Sequence, residues 1–66
     1  MPFKIHDAKA MGLSRSGLAI LVESPELDSP EWIPKSQIDD DSEVYKNGHE
    51  GTLIVSDWLA EQKGWL

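Results

Sequence analysis

The run Asp39 to Glu50, DDDSEVYKNGHE, comes nearest to a chemical motif in this chain. Counted from Asp39, oxygen-bearing side chains fall at the first, third, fifth, ninth and twelfth places, as Asp39, Asp41, Glu43, Asn47 and Glu50. That is the ligand order of an EF-hand calcium loop. The sixth place of such a loop needs glycine for its sharp turn, but Val44 stands there and Gly48 comes too late. No long helix precedes the run, so it reads as a solvated acidic loop leading into a strand. Both histidines neighbour an acid, as His6-Asp7 and His49-Glu50. Adjacent strand residues point to opposite faces, so neither pair is a ready-made site, and no His-x-x-x-His spacing exists. Ser14, Ser16, Ser36 and Ser42 lack a glycine-elbow context, and Gly12 to Gly17 lacks a phosphate-binding pattern. A chain of 66 residues has little room for a deep, well-supported pocket. The expectation is a non-enzymatic protein with no metal and no cofactor.

The elements that must carry any other function belong to one small domain covering residues 1–66. A chain of this size buries only about 60% of its unfolded surface. It has no cysteine, hence no disulfide, so three tryptophans, one tyrosine and one phenylalanine are expected to supply much of the core. A partner copy is the alternative source of stability, which leaves a homo-oligomer open. No apolar run reaches membrane-span length, no signal-peptide pattern opens the chain, and the missing cysteines suit a cytoplasmic setting.

Charge is uneven. Residues 1–22 hold Lys4, Lys9 and Arg15 against Asp7, whereas residues 23–66 hold eleven acids against Lys35, Lys46 and Lys63. The net charge of -6 disfavours non-specific nucleic-acid binding and favours a basic protein surface.

Phe3 and Ile5 alternate with Lys4 and His6 as a short strand, and Gly12 to Gly17 reads as a loop. Leu18 to Val22 reads as a buried strand, paired as a hairpin with Glu31 to Ile38 across a proline-rich turn. Glu43 to Lys46 alternates as another short strand, Asn47-Gly48 marks a turn, and Thr52 to Val55 forms the last strand. Ser56 caps a short helix that Gly64 stops, with Trp58 and Leu59 packing inward and Trp65 folding back onto Leu59. The fold class is mainly β: a small, strongly curved antiparallel sheet or barrel of the Src-homology-3 or oligonucleotide-binding type, with four to five strands and a short C-terminal helix.

Within Trp32 to Ile38, WIPKSQI, alternation puts Trp32, Pro34, Ser36 and Ile38 on one side and Ile33, Lys35 and Gln37 on the other. Trp32 and Ile38 are expected in the core, with Ser36 in a crowded corner. Pro34 requires an edge strand or a bulge, because it cannot donate to a ladder. WIPKSQI, the acidic break DDDSEV and the ending EGTLIVSDWLAEQKGW resemble a group of short proteins encoded by bacteriophages and prophages. The resemblance spans about residues 18–66. It implies a phage context and a compact β-rich fold, with a bacterial host's cytoplasm as the expected setting, and it offers no catalytic residues to carry over. The expected function is an interaction module whose acidic loops engage a basic protein partner, for example by inhibiting host nucleic-acid or defence machinery. The expected contact residues are Glu26, Asp28, Glu31, Ile33, Lys35, Gln37, Asp39, Asp40, Asp41 and Glu43. The alternatives are a single-strand-binding small barrel, using Lys35, Gln37 and exposed aromatics, and a phage assembly accessory.

Overall fold

Apolar residues in the first strand recur at Ile5, Ala8 and Ala10, a spacing of three and then two. A strand shows one face every second residue, so the odd residue must be absorbed by a bulge. The computed structural model, which describes residues 2–66, shows this. Strand β1 runs over Phe3–Leu13, and its register against β4, Glu50–Val55, shifts between Ile5 and Ala8. A second shift, between Ala10 and Gly12, occurs against β2, Ala19–Glu23. The strand is longer than its sequence implied, and the loop expected from Gly12 contracts to a turn after Leu13.

Strand β3, Glu31–Pro34, pairs with β2, and the antiparallel order is β3-β2-β1-β4. Pro34 therefore lies on an edge strand, where its missing N–H breaks no interior ladder. It opens a turn of 3-10 helix over Lys35–Gln37. The chain then crosses to the outer edge of β4 by a single bridge, Ile38 to Val55. The Asp39 N–H donates to the Ile54 carbonyl at 2.8 Å, and the Glu43 N–H to the Thr52 carbonyl at 3.0 Å. No continuous ladder joins β3 to β4, so the four-stranded sheet is curved but not closed. The expected strand at Glu43 to Lys46 is irregular chain: one buried residue, Val44, plugs the core while its neighbours stay exposed.

The core consists of aliphatic side chains, chiefly Ile5, Ile20, Val22, Ile33, Val44, Leu53, Val55 and Leu59. Two of the three indoles are outside it. Trp32 is 47% exposed and Trp58 57% exposed, contrary to the expectation that both pack inward. Pairing explains Trp32. Ile33 stands opposite Ile20, and both point inward, so Trp32 and its partner Leu21 take the other face. A one-residue change of phase moves every side chain of a strand to the opposite face. Ser36 lies in the 3-10 turn beyond the strand and is exposed rather than in a crowded corner.

Helix α1, Asp57–Gln62, buries Leu59 and Ala60. The Ser56 hydroxyl accepts from the Leu59 N–H at 3.2 Å, the cap its position implied. Gly64 takes a left-handed φ of 79°, and the Trp65 N–H donates to the Ala60 carbonyl at 2.8 Å, which ends the helix as expected. Trp65 packs its ring on Phe3.

Candidate functional site: an acidic groove beside the first bulge

At the first bulge, β1 leaves the β4 ladder and the His6 backbone loses its strand partners. Side chains of the next loop replace them. The Glu26 carboxylate accepts from the His6 N–H at 2.7 Å, and the Ser24 hydroxyl donates to the His6 carbonyl at 2.7 Å. The Glu26 N–H in turn donates to Ser24 at 3.1 Å. The loop between β2 and β3 thus locks the bulge from outside. Asp7, next in the chain, sits at φ 55°, a left-handed conformation that aspartate tolerates better than most residues.

This arrangement opens a groove of about 730 Å³ between β1, the end of β2 and the following loop. Its register explains its charge. Lys9 is opposite Glu23 on one side and Glu50 on the other, so one cross-strand row reads Glu23, Lys9, Glu50. Asp7 and Asp28 complete the lining, making four carboxylates against one ammonium. Lys9 lies 3.7 Å from Glu50, with both side chains more than half exposed, a pairing that solvent weakens. Pro25, Leu27 and Pro30 add apolar wall. Carboxylates beside such a wall suit a long cationic side chain, whose methylene stem covers apolar surface while its head reaches the acids.

The structure redistributes the ten expected contact residues. Ile33 is 0% exposed and cannot be a contact residue, because its pairing with Ile20 turns it into the core. Glu26 holds the bulge. Glu31 accepts from Lys63 at 2.9 Å, tying β3 to the helix end. The Asp39 carboxylate accepts from the Asp41 N–H at 2.9 Å, and the Glu43 carboxylate from the Thr52 N–H at 2.8 Å. Gln37 accepts from the Ser56 hydroxyl at 2.6 Å. These five side chains hold the fold. Lys35 is exposed in the turn after β3, Asp40 and Asp41 are exposed in the loop beyond it, none of the three lines the groove, and Asp28 alone of the ten does.

Asp7, Glu23 and Glu50 were not anticipated. Their signal was the apolar spacing of three around His6-Asp7, which marks a bulge, while the acids came together only through strand pairing. Among the described residues no group of three or more His, Asp or Glu side chains is arranged to hold a metal ion, and no helix is long and apolar enough to cross a membrane.

A second, smaller hollow of about 470 Å³ is lined by Lys35, Ile38, Asp39, Asp40, Tyr45 and Lys46. The Tyr45 ring meets His49 edge-on at 4.5 Å, and the Lys46 ammonium lies 5.9 Å from the Tyr45 ring centre. No family model, no curated protein and no solved structure matches the chain.

Proposed function

We propose that this chain is a non-enzymatic interaction module whose acidic groove binds a Lys- or Arg-bearing segment of a protein partner. The supporting observation is the groove itself, where Asp7, Glu23, Asp28 and Glu50 surround one partly neutralised lysine beside a proline and leucine wall. The reading shifts the contact surface from the Asp39 to Glu43 run toward the β2–β3 loop and β1, since Asp39 and Glu43 already hold backbone amides. The setting it fits is the cytoplasm of a bacterial host, with a cationic face of nucleic-acid or defence machinery as the partner of a phage-encoded inhibitor.

Calorimetric titration with a short lysine- and arginine-containing peptide tests this. Binding should weaken as salt rises, because exposed charges are screened beyond about 10 Å at 0.1 M ionic strength. The double reversal Glu23→Lys, Asp28→Lys should abolish it, and reversal of Asp40 and Asp41 should leave it intact. No heat with the native chain, or equal binding by the groove reversal, removes the proposal.

One observation favours a second reading. Exposed Tyr45 shares a hollow with Lys35 and Lys46, a stacking platform with two cations for single-stranded nucleic acid. Asp39 and Asp40 in the same hollow oppose it. A gel shift at low salt with no retention would dismiss this alternative.

A further inference from the structure

The hairpin between β1 and β2 ends in an exposed tip. Leu18 is 72% exposed and Leu13 49%, and between them lies exposed Arg15, the sole arginine of the chain. The tip is held rigidly for a loop of its length. The Ser14 N–H donates to the Ala19 carbonyl at 2.9 Å, and the Ser14 hydroxyl accepts from the Ala19 N–H at 3.0 Å. The Gly17 N–H donates to the Ser14 carbonyl at 2.9 Å, and Gly17 takes a φ of 77°. A preordered loop loses little entropy on docking. Among the described residues Arg15 makes no ion pair.

The acidic groove lies at the other end of the same hairpin, where Lys9 pairs with Glu23. Four strand steps from Ala19 to Glu23 separate the two ends by about 14 Å, and the loop adds more, so Arg15 cannot reach its own groove. The ends are complementary in kind: a guanidinium flanked by leucines at one, and carboxylates flanked by Pro25, Leu27 and Pro30 at the other. We infer that the groove accepts the β1–β2 tip of a second copy of this chain, with Arg15 among Glu23, Asp28 and Glu50 and Leu18 against the proline wall. This rests on the groove reading above and names its partner. The contact joins unlike surfaces, so it propagates head to tail into short chains or a ring. A contact this small belongs to the weak class of interfaces.

Sedimentation equilibrium of the whole chain tests it. At about 50 mM salt the average mass should climb above 7.4 kDa as concentration approaches about 1 mM, and return to the monomer value near 0.5 M salt. Arg15→Glu and Glu23→Lys should each remain monomeric, while the double variant Arg15→Glu, Glu23→Lys should associate again. Leu18→Ser, in an exposed loop without core contacts, should also weaken association. A native chain that stays monomeric at low salt, an Arg15→Glu variant that associates like the native chain, or a double variant that fails to recover overturns the inference. Peptide titration of the same samples separates the two ideas. Monomeric protein that still binds the cationic peptide through Glu23 removes only the self-docking, whereas loss of both removes the groove as a binding site.

Discussion

The Ser42 hydroxyl accepts from the Ile54 N–H at 3.1 Å, twelve residues along the chain, and so completes the outer edge of β4 where no strand lies. The same oxygen accepts from the Val44 N–H at 3.2 Å and donates to the Val44 carbonyl at 2.8 Å. Ser42 is buried, so these groups have no ready access to water. Together with the Asp39 and Glu43 amides and the Glu43 carboxylate, this small side chain does there what a fifth strand would do, and it holds Val44 over the core.

Ser42→Ala should therefore cost more than its one lost hydroxyl suggests. Leaving buried amides unpaired costs about 1–3 kcal/mol. Chemical denaturation should show a loss in that range, and hydrogen exchange should show the Ile54 amide losing more protection than the Ile20 amide. Uniform loss across both, or no loss, would contradict the edge-closing role.

Phe3 and Trp65 stack with ring centres 5.9 Å apart and planes inclined by 22°, fastening the last residues to the first strand. Trp65→Ala should destabilise by about 2 kcal/mol, combining lost burial with a ring pair of about 0.5–1.5 kcal/mol. For a domain of this size that corresponds to a fall of roughly 10 °C in melting temperature. Trp58→Ala should move the melting temperature far less, since Trp58 is mostly in solvent. Equal shifts for the two variants would refute this division of roles.

Gly51 sits at φ 138°, and an added Cβ would lie 2.6 Å from Glu43 Oε1 and 3.1 Å from Glu43 Cβ. Gly51→Ala should cost about 1–3 kcal/mol through backbone strain and this clash together. Adding Glu43→Ala should recover only the contact with the carboxylate, because the 3.1 Å approach to the Cβ and the unusual φ persist and the Thr52 N–H loses its acceptor. A double-mutant cycle of denaturation curves measures the recovery. Full restoration would show that crowding alone demands glycine.

Local physical chemistry sufficed for much of the architecture. Ser56 capping the helix, Gly64 ending it, Pro34 restricting its strand to an edge and the hairpin around Ser24 to Pro30 all depend on neighbours within a few residues. Those features were legible because their causes lie beside them in the chain. The bulge at Asp7 was legible too, in the three-residue step from Ile5 to Ala8, although its consequence was not. The phase of β3 depended on which of Trp32 and Ile33 met Ile20 across the sheet. A single residue of register decides that, so Ile33 went inside and two indoles stayed out. The groove has the same origin: Asp7, Glu23, Asp28 and Glu50 are scattered over more than forty positions. Pairing on both sides of β1 placed Glu23 and Glu50 beside Lys9, and the Ser24 and Glu26 hydrogen bonds drew the Asp28 loop against Asp7. Sequence alone determined most of the elements, though not the irregular chain at Glu43 to Lys46 or the 3-10 turn at Lys35, and it determined the surplus of acid. Only the tertiary pairing decided which acids share a surface, because cross-strand neighbours are chosen by register and not by distance along the chain.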